Sequence, residues 1–372
     1  MRLKLFGTLT GVLLVSGSAL AQQVTTKAPF TVTIGGSVRS DFGFMQDDTA
    51  NVQDREARID YRLHLKAEAK AENGLVYGFD ARLRNNQNSA GQNNQDVLGA
   101  DRKFVYLKGD RWGQIQLGDN SGVATQLETA TPNVGIGQGD VVSFANFGSY
   151  SFFYFDRDTF ATRVSYITPR VAGFQAGVTY TPEYRDTGRN NRRDNSDVTG
   201  GNYKDELEFA LTTQQKFGAF GLQATAAYLT AKEKVQTVGD FSVLSLGAVA
   251  SYDIAPGQTI AFGGNYFDNG ETNKARTVRG TAETTGWNVG LSYTVANAWA
   301  VAANYTENET DQPVGRDLKD RVIGVGGAYQ LAPGLSLQAD VAFLDIETAS
   351  GLKTGKTSNE GTQFTFRTRV DF

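Results

Sequence analysis

The chain has one histidine, His64, and no cysteine. A lone histidine is no metal site, and thiolate ligands are absent. No serine stands at a suggestive spacing from His64. Nucleophilic hydrolysis, including lipid hydrolysis at a bilayer face, would need a nucleophile, a base and a partner to orient it, so an enzyme is not expected. The side chains that could do work are charged and alternate along the chain. Arg58, Arg62, His64, Lys66, Lys70, Arg82 and Arg84 share one parity over two neighbouring segments, and Arg39 and Arg367 hold like positions elsewhere. The longest connection, Asp119 to about Asp158, carries Glu128, Asp140, Asp156 and Asp158, with Gly135, Gly137 and Gly139 to let it fold tightly. Such a length inside a compact fold is usually functional. Carboxylates facing guanidiniums across a narrow space set up a transverse field. That field orients water and dipolar solutes and breaks no bond. Taken singly, each charge reads equally well as half of a salt bridge on a solvated face.

The elements that carry these residues alternate strictly. From Gln363 to Phe372, the residues Phe364, Phe366, Thr368, Val370 and Phe372 fall on one face, and Gln363, Thr365, Arg367, Arg369 and Asp371 on the other. Side chains of a strand point alternately to opposite faces, and about ten residues let a tilted strand cross a bilayer's apolar core. Phe30–Phe44 alternates likewise, as do the stretches around Tyr61 and Tyr77, which meet at the Asn73-Gly74 turn. Further strands are expected near Arg102–Leu107, Gln114–Gly118, Thr162–Thr168, Phe174–Tyr180, Asp205–Lys216, Leu222–Thr230, Val243–Asp253, Thr259–Tyr266, Thr285–Thr294, Trp299–Thr306, Val322–Tyr329 and Leu335–Leu344. The fold class is therefore all-β, a transmembrane antiparallel β-barrel of about sixteen strands. Its connections alternate between tight turns of roughly two to five residues and polar loops of roughly ten to forty, a sorting that barrels show and sandwiches have no reason to show. Aromatics on the apolar parity form two belts. Tyr180, Tyr228, Tyr266 and Tyr305 precede long loops, whereas Tyr252, Tyr293, Trp299, Tyr329 and Phe372 lie by short turns or the terminus.

The compartment follows from the first residues. Arg2 and Lys4 precede an apolar run from Leu5 to Val15 and a small-residue site at Ala19-Leu20-Ala21. Residues 1–21 read as a secretory signal peptide cleaved after Ala21, and 22–372 as the barrel. Cleavage takes the formal charge from -4 to -6, and a mildly acidic chain argues against nucleic acid as partner.

Several segments resemble those of Gram-negative trimeric outer-membrane porins. Leu107-Lys108-Gly109-Asp110, then Trp112-Gly113 and Leu117-Gly118, resemble the family's strand–turn–strand. Val164-Ser165-Tyr166 with Pro169, Gly173-Phe174 and Tyr180 resembles the hairpin after its constriction loop. Two departures stand out: the turn is one residue longer than the family's usual Gly-Asp-Phe-Gly, and Asp119 replaces a frequent arginine. The resemblance implies a sixteen-stranded homotrimer in the outer membrane, with its third loop folded into the lumen. It implies pore constriction by Glu128, Asp140, Asp156 and Asp158 on that loop and by Arg39, Arg62, His64, Arg82 and Arg367 on the wall. Phe372 resembles the signal read by the outer-membrane assembly machinery. Lipids, lipopolysaccharide, and small hydrophilic solutes and ions are the other partners expected.

The function implied is passive diffusion through a water-filled channel. A sugar-selective channel is the alternative, because Phe144, Phe147, Tyr150, Phe152, Phe153, Tyr154, Phe155 and Phe160 could stack on sugars. The other reading of these aromatics is that they pin the loop to the wall or contact a neighbouring subunit. A structural or adhesive barrel would need a plug that neither end supplies. No cofactor is expected beyond calcium loosely held by Asp47, Asp48 and Asp54. The acidic loops favour cations and the lumenal arginines anions, with the balance leaning to cations.

Overall fold

The computed structural model describes residues 29–86, 97–134, 160–183, 203–234, 241–270, 284–311, 317–348 and 351–372. The expected signal peptide, residues 1–21, lies outside them. So do Asp140, Asp156, Asp158 and every aromatic of the Phe144–Phe160 stretch except Phe160.

Sixteen strands close into one barrel. They are β1 (Thr31–Gln46), β2 (Arg55–Lys70), β3 (Val76–Asn86), β4 (Val97–Gly109), β5 (Gly113–Asn120), β6 (Ala161–Ile167), β7 (Phe174–Glu183), β8 (Tyr203–Phe217), β9 (Phe220–Glu233), β10 (Phe241–Ala255), β11 (Gln258–Asp268), β12 (Thr284–Val295), β13 (Trp299–Thr310), β14 (Leu318–Ala332), β15 (Leu335–Ile346) and β16 (Asn359–Asp371). Among the described residues one short helix, α1 (Val123–Gln126), follows β5. Every strand pairs antiparallel with its sequence neighbours, and β16 returns to β1 in a register that sets Asp41 opposite Arg367 and Phe42 opposite Phe366.

Closure leaves no free edge, so every strand backbone can be paired within the sheet, as apolar lipid requires. The two faces differ as the alternation demands. Phe42, Phe209, Leu211, Phe262, Leu291, Phe343 and Phe366 are exposed on the outer face, whereas Asp41, Glu208, Asn265, Asn288, Thr365 and Arg367 are buried on the inner one. Outward aromatics gather at both rims, with Tyr180, Tyr228, Tyr266 and Trp287 at one and Tyr252, Trp299, Tyr329 and Phe372 at the other.

The strands outrun their sequence-based limits. β4 starts at Val97 rather than near Arg102, and β14 at Leu318 rather than Val322. Connections are shorter to match: residues 234–240 and 311–317 are only seven long. The turn 168–173 is in turn six residues, one more than expected. The turn after β2 forms as Asn73-Gly74 requires. Gly74 takes φ +85° and donates to the Ala71 carbonyl at 2.9 Å, and Asn73 Oδ1 accepts from the Leu75 amide at 3.1 Å.

Candidate functional site

Two walls of unlike chemistry face each other inside the barrel. The first is built by β16, β1, β2, β3 and β4. Sharing one parity on adjacent strands, their charged residues crowd together. Asp41 accepts from Arg367 Nε at 2.5 Å and from Arg58 Nη2 at 3.1 Å. Asp60 is paired with Arg39 at 2.8 Å and with Arg62 at 3.7 Å. Asp101 holds Arg82 at 2.6 Å and Arg84 at 3.2 Å, and Asp80 holds Arg102 at 3.1 Å. Asp101 reaches its partners because the register shifts at Arg82/Leu83 opposite β4. Arg102 Nη2 also comes within 3.5 Å of His64 Nδ1.

All five wall residues expected from sequence, Arg39, Arg62, His64, Arg82 and Arg367, therefore belong to one continuous cluster. Sequence reading did not single out the carboxylates that bind them, nor Arg102. A signal was present: Asp41, Asp60 and Asp80 each stand two residues from an arginine of the same parity. The lower rows of this wall are bound more simply, by Lys66 to Glu68 and Tyr106 to Glu68, both at 2.9 Å.

The second wall is covered by chain. Residues 121–134 leave the end of β5 and run along the inner faces of β7 to β13. Val123 N donates to Thr179 Oγ1 and Ala124 N to Glu208, each at 3.0 Å. Glu208 also accepts from Arg163 Nη1 at 2.5 Å, and both side chains are buried. Val123, Ala124 and Leu127 pack with the inward Ile167, Ala210, Leu229, Val243 and Phe267. Farther on, Thr129 contacts the Thr225 hydroxyl at 2.8 Å. The Thr131 hydroxyl lies between the side-chain oxygens of Asn265 and Asn288, which face each other on β11 and β12. Asn304 Nδ2 donates to the Pro132 carbonyl at 2.6 Å, and Val134 closes on Ala300, Ala302 and Ala328.

Glycines make the room for this segment. A Cβ on Gly290 would run into the Pro132 carbonyl and the Asn304 amide, and one on Gly247 into the Thr129 carbonyl. Gly290→Val is therefore expected to cost about 2 kcal/mol by overpacking. An unchanged urea midpoint would contradict this docking.

The loop-side residues divide. Glu128 sits half-buried within the docked segment, while Asp140, Asp156 and Asp158 lie outside the described residues. Of the aromatic stretch, Phe160 stacks on the Arg82 guanidinium at 4.9 Å. Asp119 lies on the outward parity, paired with Lys103 and the Thr162 hydroxyl, so it takes no part in the inner wall. At the rim, Asp47 accepts from Thr49 Oγ1 at 2.7 Å and Asn359 Nδ2 at 2.9 Å. Asp48 pairs with Lys356 at 2.9 Å, which holds its carboxyl below the usual range and raises the lysine. Asp54 stands beside Arg55. Among the described residues no group of three or more His, Cys, Asp or Glu is placed to hold a metal.

Comparison with known proteins gives a consistent result. A family model described as Gram-negative porin matches residues 8–349. Curated sequences give no match. Among solved structures, the anion-selective porin from Comamonas acidovorans aligns at 18% identity and TM-score 0.63, over 92% of this chain and 100% of its own. OmpT of Vibrio cholerae in its trimer form aligns at 13% and 0.62, over 92% and 99%. The outer membrane channel DcaP of Acinetobacter baumannii aligns at 13% and 0.61, over 94% and 99%.

Proposed function

As a member of the Gram-negative porin family, the chain forms an outer-membrane channel for small solutes, and we propose that its constriction lies between the arginine wall and the docked segment 121–134. It is a channel rather than an enzyme. The observation that carries this reading is the lining itself: one wall of charged side chains faces another covered by polar chain, inside an apolar exterior. Arg39, Arg62, His64, Arg82 and Arg367 form the wall side. Glu128 supplies the loop side, and the family resemblance extends that role to Asp140, Asp156 and Asp158. Solutes pass by diffusion, selected by size and by alignment in the transverse field, and no cofactor takes part.

Swelling of vesicles that hold the mature chain tests this with neutral sugars of graded size. Rates that fall smoothly with solute size support a general pore. A rate that is high for one sugar and absent for smaller ones would overturn it in favour of a selective channel, where Phe160 and its neighbours would be the binding aromatics.

The mature chain begins after Ala21 and assembles as a homotrimer in contact with outer-membrane lipids and lipopolysaccharide. The trimer form of the Vibrio cholerae structure supports this assembly, and the small residues Gly35 and Gly36 of β1 permit it. Phe372 serves as the assembly signal. It also clips the barrel seam, donating to the Gly36 carbonyl at 3.1 Å and accepting from its amide at 2.8 Å. Deleting Phe372 is expected to lower the yield of heat-modifiable barrel in the outer membrane several-fold, while refolding in detergent stays efficient. Undiminished yield in cells would sink the signal role.

A further inference from the structure

One aromatic ring of the inner wall is not accounted for by packing. On the inner faces of β2, β3 and β4 the register sets three rows. His64, Arg82 and Arg102 form the first. Lys66, Asp80 and Phe104 form the next toward the turn at Asn73-Gly74, and Glu68, Gly78 and Tyr106 the one after it. Tyr106 is explained by its surroundings. It lies across Gly78, where a Cβ would come within 2.6 Å of its hydroxyl, and it donates to Glu68 at 2.9 Å. It is only 5% exposed. Phe104 is different, for its ring is only half-buried. Its ring contacts among the described residues are loose: the Tyr106 ring at 6.2 Å, tilted by 52°, and the Arg102 guanidinium at 5.9 Å. An apolar ring left open on a wet, charged wall forgoes the gain that burial would bring.

The four charges around this ring cancel. Lys66 and Arg102 stand against Glu68 and Asp80, and their side chains stay open to the lumen at 44, 25, 34 and 21%. Lys66 and Tyr106 both bind Glu68 through Oε2, and Arg102 binds Asp80 through Oδ1. The second oxygen of each carboxylate makes no hydrogen bond among the described residues. An apolar face, acceptors and donors thus meet in a patch of no net charge, beside an arginine row that is strongly positive.

We infer that Phe104, rimmed by Lys66, Glu68 and Asp80, is a stacking position for uncharged sugars, so that the pore holds a pyranose longer than an open-chain polyol of the same size. One face of a pyranose ring presents C–H groups that can cover an aromatic ring, while its hydroxyls point outward and both donate and accept. Strands about 4.8 Å apart set the three side chains of the Lys66 row within roughly 10 Å, the span of one such ring with its hydroxyls. A neutral rim suits an uncharged solute, because the attraction of an ion to one charge is offset by repulsion from the next. The position lies on the barrel wall itself, apart from the aromatics of the Phe144–Phe160 stretch. This inference rests on the channel reading above. A wall contact of this kind delays one class of solute and leaves general diffusion in place.

The test is single-channel recording of the refolded mature chain in KCl, with either methyl glucoside or sorbitol added and the current corrected for bulk conductivity. In the wild type the corrected current is expected to fall with saturation as the glucoside is raised, and to stay level with sorbitol. Phe104→Leu keeps apolar bulk and removes the aromatic face. It should leave the current in KCl alone unchanged and raise the half-saturating glucoside concentration about fivefold, the worth of one aromatic contact. Phe104→Trp should hold the glucoside at least as well as the wild type, and Phe217→Leu on the outer face should match it. Equal curves for glucoside and sorbitol in the wild type would overturn the stacking position alone. So would a half-saturating concentration that Phe104→Leu leaves unchanged, or a tryptophan variant no better than the leucine one. No steps at all in KCl would overturn the channel reading and this inference with it.

Discussion

Asp41→Ala is expected to cost the barrel about 3 kcal/mol, the scale of breaking a buried ion pair from one side. The Asp41 side chain is fully buried and binds two guanidiniums from different strands. Arg367 on β16 donates through Nε and Nη2 at 2.5 and 2.8 Å, and Arg58 on β2 through Nε and Nη2 at 3.2 and 3.1 Å. One carboxylate thus ties three strands across the seam where the barrel closes. Alanine leaves two poorly hydrated cations facing each other on the wall. Asparagine keeps an acceptor oxygen and is expected to cost less. Urea unfolding of the refolded barrel in micelles, followed by the fluorescence of Trp112, Trp287 and Trp299, reads the change as a shifted midpoint. A midpoint unchanged in the alanine variant would contradict the staple.

Glu208→Ala is expected to act at the other wall by a similar amount, about 3 kcal/mol, since it takes a buried carboxylate partner from the buried Arg163. It differs from the first change in its second effect. Glu208 also accepts from the Ala124 amide, so its loss frees the start of segment 121–134. Open-channel current noise should rise in Glu208→Ala and stay at its normal level in Asp41→Ala. The double variant Arg163→Met/Glu208→Leu removes both charges together. It should recover most of the stability, because an apolar pair avoids desolvation of two ions, while the noise persists. Recovery of both, or of neither, would contradict the division between the ion pair and the docking contact.

The barrel was readable because its alternation is strict where lipid and lumen impose it. Phe364, Phe366 and Phe372 against Gln363, Arg367 and Asp371 leave one choice of faces. Strand ends were less readable, since beyond the apolar belt both faces become polar. Glu307–Thr310 and Lys319–Asp320 continue their ladders without a hydrophobic signal. At Val97–Arg102 the shift in register also breaks the parity that a reader would follow.

The site divides on the same line. Arg39, Arg62, His64, Arg82 and Arg367 were legible because parity alone gathers them on the inner face. Sharing of carboxylates between arginines depends on how three strands align, as Asp41 between Arg58 and Arg367 shows. No single segment contains that information. The docked segment was hardest. Its partners Thr179 and Asn304 lie 56 and 172 residues away in sequence. Its fit needs Gly247 and Gly290, which in a strand pattern look like ordinary weak points.

Recording single channels from the refolded mature chain in a planar bilayer, in KCl alone, tests most directly whether the lumen is an open, water-filled path. Discrete current steps that scale with salt concentration, arriving in groups of three, are the expected result. A silent bilayer holding folded, heat-modifiable protein would contradict an open channel and favour a filled structural barrel.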